Sequence, residues 1–199
     1  IDNNENNNAG VLFVEVLNQI GGEEVIESLV KIAYHSNFST AEAAINSLAT
    51  HGGFSEISKI LPLVREGDSG LMTSLKHAIR AMSKKFPERA AEEIGALIKA
   101  DGYNGVLLDV LGSVASDKDV QVFVDALQFD DEQIRFVAAQ KVRVLGAEFP
   151  EAKLLEAMND DSPRVRAAIV TALAVYNTKS SRDCIKQAVR DSDEWVVAD

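Results

Sequence analysis

Hydrophobic residues recur at intervals of three and four through most of the chain, which is the pattern of helices that bury one face. These apolar stripes form two alternating sets. The first set occupies Val25–Ile32, Ile57–Val64, Ala91–Ile98, Val120–Leu127 and Cys184–Val189. The second set occupies Gly10–Ile20, Ser39–Thr50, Ser69–Lys85, Asn104–Ala115, Glu132–Ala147 and Ser162–Tyr176. No convincing period-two strand pattern accompanies them, so the sequence predicts an all-α fold of about twelve helices in antiparallel pairs.

The second set of helices repeats along the chain. The segments DDEQIRFVAAQKV from Asp130 and DDSPRVRAAIVTAL from Asp160 share an acidic turn, a β-branched residue followed by Arg, and a helix of small residues. A shorter copy, DSDEWVVAD, begins at Asp191. The equivalent anchor positions are Ala41, Leu71, Leu107, Ile134, Val165 and Trp195, with separations of 30, 36, 27, 31 and 30 residues. Its alignment with the other anchors predicts that Trp195, the single Trp, is a buried core residue. The alternative is that Trp195 is an exposed residue that anchors a binding partner.

Polar, Gly and Pro residues mark the predicted helix boundaries. Ser162 is placed to accept hydrogen bonds from the first N–H groups of a helix whose first residue is Pro163. Capping-box spacings occur at Ser39 with Glu42, Ser116 with Asp119, and Ser180 with Asp183. Helices are expected to start near Pro87 and Pro150 and to end at Gly21–Gly22 and Gly52–Gly53, whereas Pro62 falls inside a helix.

The run D-x-x-x-V-R-x-x-A, carried by short helical hairpins, resembles HEAT repeats, and the short period is similar to the HEAT-like repeats of phycobilisome lyase subunits. The resemblance implies a right-handed α-α superhelix, a solenoid of about six units over residues 10–199. It also implies bonds between the turn Asp and the helix Arg of neighbouring repeats, here Asp130 or Asp131 with Arg135, and Asp161 with Arg166. Residues 1–9, rich in Asn, are expected to form a disordered or frayed tail, and the chain is expected to be a fragment of a longer one.

Composition narrows the classes of partner. The formal net charge of -11 opposes general attraction to nucleic acid or to anionic lipid. The apolar runs are too short to span a membrane. Cys184 is the only cysteine, which excludes an intrachain disulfide and favours a reducing compartment, so a cytoplasmic location is expected.

No catalytic, metal-binding or cofactor-binding motif emerges from the spacing of reactive residues. His35, His51 and His77 fall at or near different helix ends, and none has a metal-ligand spacing. Cys184 lies on an apolar stripe and is expected to be a small buried hydrophobe. The acidic pairs fall in turns and on outer helix faces, where capping and solvation account for them. We therefore expect a protein that is not an enzyme.

Charge is segregated between the two sets of helices. The second set carries nine basic and four acidic residues, a net charge of +5 on a chain of net charge -11. In the resembling family these helices line the concave surface, which implies a binding face for a protein or peptide with an acidic segment. The residues expected to bind the partner are Thr73, His77, Arg80, Lys84, Phe136, Gln140, Arg143, Arg164 and Thr171.

The function predicted from the sequence is a non-catalytic scaffold for protein–protein interaction. Two alternatives stay open. The repeat length suggests a bilin-lyase-like or chaperone subunit, which co-purified pigment would reveal. The basic helices permit a nucleic-acid-binding HEAT-like protein, which the net charge and the low aromatic content oppose.

Overall fold

The computed structural model describes residues 2–66 and 70–188, and within these ranges it contains twelve α-helices and no β-strand. The helices are α1 (Asp2–Ile20), α2 (Glu23–His35), α3 (Phe38–His51), α4 (Phe54–Glu66), α5 (Met72–Ser83), α6 (Pro87–Asp101), α7 (Gly105–Leu111), α8 (Val120–Ala126), α9 (Glu132–Leu145), α10 (Glu151–Ala157), α11 (Pro163–Leu173) and α12 (Lys179–Ala188). Short 3-10 turns lie at Asp117–Asp119 and Gly146–Glu148. The all-α repeat fold predicted from the periodicity is confirmed.

The chain divides into two compact units, Ile1–Ala90 and Ala91–Asp199. In the first unit, α3 packs between α1 and α5, and α2 packs against α4. The hairpins α2/α3 and α4/α5 join these two rows of helices. The unit therefore has two layers, with the second-set helices in one and the first-set helices in the other.

The second unit has the same plan. Helix α9 packs between α7 and α11, and α10 contacts α12 in the other layer. The hairpins α8/α9 and α10/α11 join the layers. Because α3 and α9 are each flanked by their equivalents within their own unit, the side chains between two such second-set helices form a surface shared by successive repeats.

The anchor positions confirm the register of the repeats. All of those that lie in the described part of the chain are buried: Ala41, Leu71, Leu107, Ile134 and Val165. Trp195, with the rest of the copy that begins at Asp191, lies outside the described residues. Its placement in a core slot, the handedness of the superhelix and the number of units stay predictions.

Several helix boundaries fall where the sequence predicts. Ser162 accepts from the N–H of Val165 at 3.4 Å, with Pro163 as the first residue of α11. The capping box of Ser116 and Asp119 is present at the 3-10 turn before α8. Between α1 and α2, Gly21 and Gly22 have φ values of 68° and 98°, which disfavour a side chain and let the chain reverse.

Two predicted caps are wrong. Helix α3 is capped by Asn37, which accepts from the N–H of Thr40 at 3.0 Å, and not by Ser39. The earlier start buries Thr40 close to Gly10 of α1, so packing between helices selects among neighbouring cap residues. At α12 the cap consists of Thr178 and Ser181, each donating its N–H to the other's hydroxyl at 3.0 Å, and Ser180 with Asp183 does not form it.

The N-terminal tail predicted over residues 1–9 is helical where it is described, because α1 begins at Asp2. Asn costs only about 0.5 kcal/mol per residue relative to Ala in a helix. Extension is also easier than nucleation, and the apolar stretch from Gly10 to Ile20 supplies the nucleus. The helix therefore continues through an Asn-rich sequence that composition alone assigns to a tail.

Candidate functional site

A groove of about 510 Å³ lies between α9 and α11 in the second unit. Its lining consists of Phe136, Ala139, Gln140, Lys141 and Arg143 from α9 and of Arg164, Ala167, Ala168 and Thr171 from α11. Five of the nine residues predicted to bind a partner are therefore brought together here: Phe136, Gln140, Arg143, Arg164 and Thr171. The volume is within the range of roughly 300–1,000 Å³ that is typical of ligand pockets.

The floor of the groove is made of alanines, whose short side chains leave the space open. Ala139 and Ala167 are buried, and Ala168 is half-buried. Ala167, which also lines the groove, packs with Val170 and with Ala188 of α12 in a small apolar cluster, and this packing accounts for its burial.

Arg164 covers the ring of Phe136 at one end of the groove. Its guanidinium carbon lies 3.7 Å from the ring centroid, and its Nη1 donates to Oε1 of Gln133 at 2.9 Å. Phe136 is half-buried, so its ring also contributes to packing. A cation–π contact of this kind contributes about 0.5–1 kcal/mol at an exposed site. The contact holds both side chains in place at the rim.

The charge of Lys141 is neutralised behind the groove by a residue that sequence reasoning overlooked. Asp109 of α7 is buried, and its carboxylate pairs with the ammonium group of Lys141. The lysine stem runs over Gly112, where a Cβ atom would lie 2.5 Å from Cγ and Cδ of Lys141. In the sequence, Asp109 is the single acidic residue among the apolar residues of α7. A buried carboxylate requires a partner, so this pattern could have indicated the pair with Lys141.

Arg143 and Arg164 supply the unbalanced charge of the groove. Arg143 is exposed in the last turn of α9 and makes no hydrogen bond or ion pair with any residue that the structure describes. Among the described residues that line the groove, none is Asp or Glu. The groove is therefore locally positive on a chain with a net charge of -11.

Arg135 joins the two repeats on either side of the groove. Its Nε donates to Oδ2 of Asp160 at 2.7 Å, and its Nη2 donates to Oδ1 at 3.0 Å. The hydrogen bond with Asp160 is the largest influence that raises the pKa of Arg135. The expected carboxylate partner, Asp130 or Asp131, is wrong. The arginine side chain is long enough to reach the next turn, and in its own turn it binds the carbonyl oxygens of Phe129 and Asp130.

Arg166 repeats part of this arrangement. Its Nη1 donates to the carbonyl oxygens of Asp160 and Asp161, at 2.8 Å and 3.2 Å. Arg166 therefore contacts Asp161 as predicted, but it binds the backbone carbonyl oxygen of that residue. The residue equivalent to Asp160 in the next repeat is Asp191, which lies outside the described residues.

The other four predicted site residues belong to the first unit. Thr73 and His77 are exposed one turn apart on α5, Arg80 is partly buried one turn further, and Lys84 is exposed directly after the helix. Their spacing places them along one face of α5, as the repeat alignment predicts. The groove between α9 and α11 is built by the second unit alone.

The remaining titratable residues are dispersed. His35 and His51 are exposed at the last positions of α2 and α3, where the sequence places them, whereas His77 is exposed in the middle of α5, so its predicted place near a helix end is wrong. Cys184 is half-buried, less than its apolar stripe suggests, and burial raises the pKa of its thiol. Among the described residues, no three His, Cys, Asp or Glu side chains are grouped so that they could hold a metal ion.

Comparison with known proteins gives one family match. Residues 151–198 match the family model described as HEAT repeats, a span that includes the α11 wall of the groove. No curated protein matches the chain. No helix in the described ranges has the length and apolar character needed to cross a membrane.

Proposed function

Since the chain has HEAT-like repeats, which generally mediate protein–protein interaction, we propose that it is a non-catalytic scaffold that binds a partner protein on its second-set helices. The groove between α9 and α11 is the contact site in this proposal. Arg143, Arg164 and Phe136 are its main binding residues.

The observation that carries the proposal is the groove itself. Two successive repeats leave an alanine floor open between them and place an aromatic ring and two guanidinium groups on its rim. Aromatic and arginine side chains dominate the binding energy of protein interfaces, because they offer large apolar area together with several hydrogen-bond donors. Arg143 is exposed, so packing of the repeats alone does not require an arginine at that position of the rim.

The side chains of the groove are suited to recognition. The hydroxyl of Thr171 donates to the carbonyl oxygen of Ala167 in its own helix, at 3.1 Å. Gln140 is exposed and can donate and accept hydrogen bonds. Arginine and glutamine orient a bound chain through directional bonds and do not readily exchange protons near neutral pH. The lining therefore supports a binding role.

The test compares matched variants in an affinity capture. The chain is immobilised in three forms: unchanged, with Arg143→Glu in the groove, and with Lys118→Glu at an exposed position of a 3-10 turn outside it. A protein that is retained by the unchanged chain and the Lys118 variant is then purified, and its affinity for all three forms is measured by calorimetry. We expect the Arg143 variant to bind it several-fold more weakly.

Equal affinity of the purified partner for both variants would exclude the groove as the contact site. The two alternatives suggested by the sequence have their own readouts in the same preparation. A visible absorption band in the purified chain would favour a bilin-handling subunit. Retention on heparin that Arg143→Glu abolishes would favour a nucleic-acid-binding protein.

A further inference from the structure

We infer that the α9/α11 groove binds a short extended peptide segment in which an aliphatic residue is flanked by acidic residues. The aliphatic side chain would lie on the alanine floor, and the carboxylates would bind Arg143 and Arg164. This inference rests on the proposed function and specifies the chemistry of its partner.

The dimensions of the groove set the length of the segment. Phe136 and Arg143 are seven residues apart in α9. At about 1.5 Å per residue, they are separated by roughly 10 Å along the helix axis. An extended chain advances about 3.3 Å per residue, so the groove holds about three residues of a strand-like peptide. The arginine side chains extend the contact at its ends.

The floor selects the central residue of the segment. Ala168 is half-buried and leaves part of its methyl group accessible in the groove, and the half-buried ring of Phe136 adds apolar surface beside it. A branched aliphatic side chain placed there would lose its contact with water and leave no polar group unpaired. Burial of such a side chain is favourable because the transfer of apolar surface out of water is favourable.

The rim selects the flanking residues by charge. Arg143 is exposed without a protein partner among the described residues, and Arg164 uses one Nη1 hydrogen in its bond to Gln133. A guanidinium carries five N–H donors, so both arginines retain donors for a carboxylate. Lys141 is neutralised by Asp109 and adds no charge of its own. An acidic segment is therefore complementary to the groove, whereas a basic one would face unpaired like charges.

A peptide is favoured over nucleic acid, which would also present anionic groups. Phe136 is the one aromatic ring among the lining residues that the structure describes, whereas binding of single strands relies on stacking of successive bases on several rings. The net charge of -11 also repels a polyanion beyond the immediate groove. A short acidic segment avoids this repulsion because it carries few negative charges, and all of them lie close to the two arginines.

The experiment is a selection from a library of random heptapeptides displayed on phage, with the whole 199-residue chain as target. Phage that bind an Ala168→Trp variant, in which the indole fills the groove, are removed first. An Ala152→Trp variant, which changes an exposed position of α10 away from the groove, is the matched control. Selected peptides are synthesised, and their affinities for all forms are measured by fluorescence anisotropy, with a labelled poly-deoxythymidine oligonucleotide as a second probe.

We expect the selected peptides to combine Asp or Glu with Leu, Ile or Val. Ala168→Trp should weaken their binding about tenfold or more, and Ala152→Trp should leave it unchanged. Arg143→Glu, at an exposed position that folding does not require, should weaken binding about fivefold at low salt and less at high salt. If the Ala168→Trp variant loses its helical circular dichroism signal, and is therefore unfolded, Arg143→Glu still tests the groove.

Three results would overturn the inference. Peptides that require the open groove but lack acidic residues would refute the acidic segment and leave the scaffold function intact. Failure to enrich any groove-dependent peptide would refute both the segment and the groove as the contact site. Tight binding of the oligonucleotide, lost on Arg143→Glu, would assign the groove to nucleic acid.

Discussion

Arg135 in α9 binds both carboxylate oxygens of Asp160, the residue that begins the turn before α11, at 2.7 Å and 3.0 Å. The exposed fractions of the two side chains are 16% and 8%, so removal of one leaves the other charge poorly solvated. We expect Arg135→Ala to lower the free energy of unfolding by about 2 kcal/mol. Lys153→Ala removes an exposed pair with Glu156 and should cost less than about 0.5 kcal/mol. Urea denaturation measures both, and equal effects would contradict the structural role of the Arg135 pair.

Gly112 is expected to be irreplaceable because the stem of Lys141 occupies the space beside it. The added methyl group of Gly112→Ala would lie 2.5 Å from Cγ and Cδ of Lys141 and displace the lysine from Asp109. A loss of about 1–3 kcal/mol in the free energy of unfolding is expected. Gly95→Ala in α6 is the control, because a Cβ atom there meets nothing within 4 Å, and it should stabilise the helix by up to about 1 kcal/mol. Similar changes for both variants would refute the steric argument.

Phe136→Ala should affect stability and binding differently. The ring is half-buried beneath Arg164, so its removal should cost about 1 kcal/mol of folding free energy, more than the approximately 0.5 kcal/mol of a surface substitution. Peptide affinity should fall about tenfold if the ring is a hot spot. Val144→Ala, at a position that is 60% exposed, serves as the control for both measurements. Global unfolding of the Phe136 variant would mean that the ring belongs to the core.

Substitution of three of the nine predicted binding residues tests the second-set helices as a binding face. A triple variant with Phe136→Ala, Arg80→Glu and Arg143→Glu should bind the purified partner more weakly. The charge reversals should act chiefly by slowing association, and this part of the loss should shrink at high salt. Stopped-flow kinetics on the triple variant and on Lys118→Glu would separate the rates. Normal binding by a folded triple variant would contradict binding on the second-set helices and would favour the acidic outer surface as the contact site.

Tyr176 is expected to make the stability of the protein depend on pH under alkaline conditions. Its hydroxyl donates to the carbonyl oxygen of Phe149 at 2.7 Å, and burial, aided by the charge of Glu151, raises its pKa to about 12. Because the folded-state pKa exceeds the unfolded value of about 10, the stabilisation is complete below about pH 10 and is lost as the pH rises towards about 12. Tyr176→Phe should cost about 1 kcal/mol at neutral pH and reduce the loss of stability between these values. Parallel urea titrations of both proteins measure the difference, and identical pH profiles would contradict the assignment.

The sequence by itself determined most of the helices, their pairing and the anchor positions that they bury. The anchors from Ala41 to Val165 are buried because a helix with apolar residues at intervals of three and four has one face that must leave water. Ser162 and Pro163 fix the start of α11 through bonds within one turn. These features depend on residues close in sequence, so the linear pattern contains enough information to predict them.

Only the tertiary structure decided which residues meet across neighbouring repeats. Asp160 replaces the nearer Asp130 and Asp131 as the carboxylate partner of Arg135, and Asp109 neutralises Lys141, because these pairs depend on side-chain reach between helices. The groove likewise exists only because α9 and α11 pack side by side, and residues of both helices line it. Periodicity fixes the direction in which a side chain leaves its own helix, whereas the packing of the next helix determines what that side chain contacts.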